Sequence, residues 1–148
     1  MAATPATALT PQEAFFVLSR ILSWADGEQQ EAELDALTTL RLTERLDVAV
    51  YDKLDAIGDD ESQLFDMAVT ALREAPLDTR ARACAWMLMT AMVASVGATT
   101  TGDIAWGTTL ANVSPEEQAW ITRAQKALGV VESDLETAFR RIPRIRII

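Results

Sequence analysis

Apolar residues recur along this chain at intervals of three and four, the spacing that gathers them on one face of an α-helix. Phe15, Leu18, Leu22 and Ala25 form the first such stripe, widened by Phe16 and Ile21. Thr10-Pro11-Gln12-Glu13 stands directly before it. That is a capping box with proline at the first helical position, so a helix is expected from Pro11 to Trp24. Asp26-Gly27 then ends it, because glycine accepts the left-handed conformation common at helix C-termini. A second helix is expected from Gln30, with Leu34, Leu37 and Leu40 inward and Glu31, Glu33 and Asp35 at its electropositive start. The pair makes a tight helical hairpin.

Thr43 is placed as the cap of a third helix through Ile57, in which Leu46, Val50, Leu54 and Ile57 keep the period and Gly58 is the stop. Asp59 or Asp60 caps a fourth, turning Leu64, Ala68 and Leu72 inward until Pro76 breaks the run. From Asp78 to Val96 charge disappears after Arg82, which predicts a central helix contacted on several sides. Gly97 to Asn112 begins as a Gly- and Thr-rich loop, after which Asp103 offers a cap for a short helix holding Ile104, Trp106 and Leu110. Ser114-Pro115-Glu116-Glu117 is a second clear helix start. Ala119 or Trp120, Ile121, Ala124 and Leu128 face inward from it, and Gly129 is its stop. A last short helix runs from Ser133 or its neighbour to Arg140, with Leu135 and Phe139 available to pack. The expected architecture is all-α, a compact bundle of seven or eight helices with two pseudo-symmetric helical hairpins. One domain would span 11–141, with 1–10 as a flexible N-terminus and 142–148 as a basic and apolar tail.

Composition supports this picture and narrows the chemistry. A chain of 148 residues can bury roughly 68–70% of the surface its unfolded form exposes, enough for a core without disulfide or metal staples. Apolar types make up 49% and charged ones 24%, a globular balance with an aliphatic core. The formal net charge of −9 repels phosphate backbones, so nucleic acid is excluded as an expected partner. Cys84 is the only cysteine and the chain has no histidine. The thiol therefore reads as a small buried hydrophobe rather than a nucleophile, in a reducing compartment. Neither a phosphate-binding glycine motif nor a nucleophile elbow occurs, and the expectation is a protein that is not an enzyme. The first ten residues lack the basic and apolar regions of a secretory signal, and Ala83 to Gly102 would make a poor membrane span, so a cytoplasmic location is expected. Trp24, Trp86, Trp106 and Trp120 read as packing residues with one polar edge exposed. An exposed Trp106 would mark a partner surface.

Ala25-Asp26-Gly27-Glu28, set between an amphipathic helix and an acidic helix start, resembles the corner motif of the TerB-like family associated with tellurite resistance. That resemblance implies an all-helical domain in which Ala-Asp-Gly, followed a few residues on by Glu-Glu, is used in two related halves. Here Ala32 stands at the first Glu of the pair and Glu33 at the second. In the later half Glu117 corresponds to Glu33, while Leu110 and Ala111 stand where Asp26 and Gly27 would be repeated, so one acidic corner is lost. The family implies carboxylates gathered near the hairpins and a role in divalent cation or metal-stress signalling. The candidate ligands carried over are Asp26, Glu28, Glu33 and Glu117, for Ca²⁺ or Mg²⁺, which take oxygen donors. The same acids also have an ordinary role at helix termini.

Residues 140–148, Arg-Arg-Ile-Pro-Arg-Ile-Arg-Ile-Ile, are unlike the rest of the chain. Arg144 and Arg146 are candidates for contact with the domain's own acidic surface, with another subunit, or with an anionic membrane surface. The expected function is a stress-associated protein-interaction domain that associates with a partner protein or with itself and binds a divalent cation. The alternative is a structural or adaptor bundle without an ion site.

Overall fold

A computed structural model describes residues 9–23, 31–58, 60–96 and 114–141 of the chain. They form seven helices and no strand: α1 (Pro11–Ser23), α2 (Glu31–Thr43), α3 (Ala49–Ile57), α4 (Glu61–Leu72), α5 (Leu77–Val96), α6 (Pro115–Leu128) and α7 (Glu132–Arg141). The all-α expectation holds across these residues. Residues 1–8, 24–30, 59, 97–113 and 142–148 lie outside them, and with them the hairpin turn and the short helix expected at Asp103.

Three helix starts are set by the side chains that the sequence marks. The Glu13 amide donates to Thr10 Oγ1 at 3.2 Å and the Thr10 amide to Glu13 Oε1 at 2.9 Å, closing the expected box on α1. Asp60 accepts from the Gln63 amide at the head of α4. Ser114 and Glu117 make the same reciprocal pair on α6. Each such cap satisfies backbone donors that the first helical turn leaves without partners, worth about 1 kcal/mol. Gly129 ends α6 at φ 67°, and the Val130 amide reaches back to the Gln125 carbonyl, a Schellman closure that favours glycine at the left-handed position.

Thr43 departs from expectation. It is the last residue of α2 rather than the cap of α3. Nothing in Leu40-Arg41-Leu42-Thr43 stops a helix, so α2 runs on and closes by a second Schellman turn. There the Leu46 amide donates to the Arg41 carbonyl and Arg45 takes the left-handed position at φ 58°. A non-glycine residue there costs about 1–2 kcal/mol. The next helix starts instead where Asp47 Oδ1 accepts from the Ala49 amide.

Two helices supply the middle of the core. Ala83 to Ala91 of α5 is buried without interruption, and α5 packs against α1, α2, α6 and α7. The expected central helix is thus present, but it shares the position with α1. Residues Ala14 to Ser19 of α1 are buried on every side between α2, α4 and α5. Leu64, Phe65, Ala68 and Leu72 of α4 close over α1, while Ile121, Ala124, Leu128, Leu135 and Phe139 of α6 and α7 join the same core. Burying each large aliphatic side chain contributes roughly 1.5–3 kcal/mol. Where α4 meets α6, the Arg123 guanidinium lies 4.6 Å from the Phe65 ring centroid and 5.1 Å from that of Trp120, a cation–π arrangement. Among the described residues no helix is long and apolar enough to cross a membrane.

Lys53 of α3 reaches Glu13 of α1 at 2.8 Å. Burial pushes the Glu13 carboxyl up, but the Lys53 ammonium and the Thr10 amide and hydroxyl together outweigh it and hold its pKa below the ordinary 4.5. A carboxylate depressed in the fold adds stability that is complete above the unfolded value and fades as pH falls through the folded one. Lys53→Met is therefore expected to lower stability by about 0.5–1 kcal/mol at pH 7. The deficit should shrink as urea denaturation is repeated from pH 4.5 downward; an equal deficit at neutral and strongly acidic pH would contradict this.

Candidate interaction surface

The short turn between α2 and α3 carries an unusual side-chain mixture. Leu42 and Val48, on either side of the turn at Arg45, are 64% and 62% exposed, and Tyr51 is exposed one turn further along. Val48, Tyr51, Asp52 and Asp55 are spaced zero, three, four and seven, so they share one face of α3. Val50 and Leu54 point the other way, into the core. Asp47, Asp52 and Asp55 are all exposed, and none forms an ion pair within the described residues. Arg45 is the exposed cation beside them. The corner thus offers three apolar side chains bordered by an excess of negative charge.

This corner is held from behind. The Tyr51 ring meets Phe16 of α1 edge-on, with centroids 5.5 Å apart. Glu44, next to Arg45 in the turn, accepts from Arg82 Nε at 2.6 Å and from Trp86 Nε1 at 2.9 Å. Trp86 is wholly buried in the middle of α5, so its polar edge is not exposed as expected. The largely buried Glu44 carboxylate, just past the end of α2, satisfies that edge instead.

Of the residues singled out from sequence as cation ligands, Asp26 and Glu28 lie outside the described residues. Glu33 falls in the first turn of α2, but its side chain is likewise outside them. Glu117 is the third residue of α6, 2% exposed, with Oε1 accepting the Ser114 amide. Its role in the capping box is therefore on view, while the convergence of the four acids lies outside the described residues. Among those residues no cluster of three or more metal-ligating side chains occurs. Trp106, Arg144 and Arg146 also fall outside.

Cys84 is buried in α5, and desolvation pushes its thiol up to about 12, so the nucleophilic thiolate does not form near neutral pH. A cleft of about 420 Å³ opens between the start of α5 and α7. Asp78 and Arg82 from α5 and Asp134 and Arg141 from α7 line it, which leaves its charges balanced. A second, of about 370 Å³, lies among α1, α3 and α4, but Val17, Ile21 and Leu54 in its wall are already almost fully buried. Sequence reading missed Leu42, Val48 and Tyr51 because it followed only the inward stripes. The usable signal was that these large apolar residues fall off those stripes beside three aspartates.

No protein-family model, curated protein or solved structure matches the chain.

Proposed function

We propose that the chain is a non-enzymatic protein-interaction domain of the TerB-like kind, stress-associated and cytoplasmic, which engages a basic, apolar partner segment at the α2–α3 corner. The observation that carries this reading is the rigidly backed group of Leu42, Val48 and Tyr51, exposed beside unpaired Asp47, Asp52 and Asp55. Apolar anchors provide affinity, and the acidic border selects cations and speeds their approach. The TerB-like part rests on Ala25-Asp26-Gly27-Glu28 and on the helical architecture.

A fluorescein-labelled peptide alternating arginine with isoleucine probes the corner by anisotropy. Saturable binding is expected, weakened about tenfold in Leu42→Ser/Val48→Ser, the equivalent of 1.4 kcal/mol. A folded protein with no saturable binding, or a double variant that binds equally well, would overturn the reading. The cation assigned through the resemblance, Ca²⁺ or Mg²⁺ at Asp26, Glu28, Glu33 and Glu117, is tested by calorimetric titration of each ion. Binding abolished in Asp26→Asn supports it, and the absence of heat in the unaltered protein removes it.

A further inference from the structure

We propose that the partner at the α2–α3 corner is a second copy of this chain, which presents the basic outer face of its α6 to α3. This names the partner in the interaction reading and rests on that reading.

The two faces carry complementary patterns at the same spacing. Val48, Tyr51, Asp52 and Asp55 stand at relative positions zero, three, four and seven, and Ala119, Thr122, Arg123 and Lys126 of α6 repeat that spacing. Each set occupies one side of its helix over about 10 Å. All four side chains on α3 are exposed, as are Ala119, Arg123 and Lys126. Laid parallel and level, the helices would set Val48 against Ala119, Asp52 against Arg123 and Asp55 against Lys126. An antiparallel arrangement would set Val48 against Lys126 and Asp55 against Ala119, so charge complementarity selects the parallel one.

These charges are open to a partner. None of Asp52, Asp55, Arg123 and Lys126 forms an ion pair within the described residues, so the two faces do not neutralise each other in one copy. Arg123 is also held in place, since its guanidinium lies over the Phe65 and Trp120 rings with N–H donors at its edge to offer a carboxylate. The net charge of −9 otherwise keeps copies apart, so contact depends on this local match. Each copy carries both faces, which makes the contact head-to-tail and lets it extend to further copies unless it closes. With α3 only nine residues long, the contact belongs to the small, transient class.

Sedimentation velocity of the full-length protein over a wide concentration range tests this. The weight-average sedimentation coefficient is expected to climb with concentration, and the climb to vanish in about 1 M salt, where charges are screened beyond about 3 Å. Asp52→Lys/Asp55→Lys and Arg123→Glu/Lys126→Glu should each weaken association by more than about tenfold, and an equimolar mixture of the two should restore it. Both variants stay acidic, because each pair of reversals shifts the net charge of −9 by four units, so bulk attraction cannot supply the rescue. Should Arg123→Glu unfold α6, Asp55→Lys mixed with Lys126→Glu makes the same comparison, since Lys126 forms no ion pair among the described residues. A monomer at every concentration, association that survives both reversals, or a mixture that stays monomeric overturns the second copy as partner. If the Arg–Ile peptide still binds the corner in that case, the interaction reading stands; if it does not, that reading has failed as well.

Discussion

Trp86→Ala is expected to destabilise the protein by about 3–5 kcal/mol and to lower its Tm by on the order of 10 °C. Two losses combine. The indole is fully buried in the central stretch of α5, a helix that packs against α1, α2, α6 and α7, so truncation opens a cavity that four neighbours cannot all move to fill. Its Nε1 also donates to Glu44 Oε2, and deletion leaves that carboxylate with Arg82 alone. Trp86→Phe separates the two effects. It retains most of the volume and is expected to cost about 1.5–3 kcal/mol, the range for a hydrogen bond to a charged group. A cycle pairing Trp86→Phe with Glu44→Gln should show coupling of about 0.5–3 kcal/mol by urea denaturation, since the two side chains touch. Additive losses would show that Glu44 holds α2 through Arg82 only. Because Glu44 precedes the Arg45 turn, Trp86→Phe should weaken probe binding at the corner as well as stability.

The fold was legible where a local rule and a global need coincide. Thr10, Asp60, Ser114 and Gly129 announce helix ends through chemistry that works within three to five residues, and each stands where expected. The long uncharged run of α5 is legible for a different reason, since a helix apolar all round must be surrounded. Thr43 shows the limit. A threonine before Glu44 has the form of a helix start, but the true boundary depends on Arg45 accepting a left-handed conformation that its residue type does not favour. Tertiary contacts supply the reason: the Glu44 carboxylate meets Arg82 and Trp86 in that geometry, offsetting the backbone cost.

The candidate site was less legible, because its parts are defined by what they fail to touch. A periodic stripe identifies the residues that face the core, and Val50 and Leu54 were found that way. Val48 and Tyr51 belong to the same helix end yet lie on the opposite side, and only the packing of α3 on α1 through Phe16 reveals that their outer surfaces stay open. Contacts separated by about forty residues, such as Glu13 with Lys53 and Glu44 with Trp86, leave no periodic trace either. The acidic corner at Asp26 is the reverse case, a short motif with a chemical meaning but with its geometry outside the described residues.

Arg80→Met is expected to cost about 2–3 kcal/mol although it keeps most of the side chain's apolar stem. The Arg80 guanidinium donates from Nη1 to the Leu128 carbonyl and from Nε to the Ala75 carbonyl. One acceptor is at the C-terminus of α6 and the other is in the turn between α4 and α5, so one side chain ties together elements 48 residues apart in sequence. Helix C-termini leave carbonyls without intrahelical donors, and a cation there also opposes the negative end of the helix dipole. Methionine preserves packing but leaves both part-buried carbonyls short of a donor, at the 1.5–3 kcal/mol typical of charge-assisted bonds. Arg80→Lys should recover only part of the loss, because a single ammonium lacks the guanidinium's fork. Hydrogen exchange distinguishes this clasp from a general weakening. Arg80→Met should speed exchange first in the last turn of α6 and in α7, while the amides of α1 and central α5 slow or hasten only with global stability. Uniform acceleration across all seven helices of the described residues would show instead that Arg80 acts through the core as a whole.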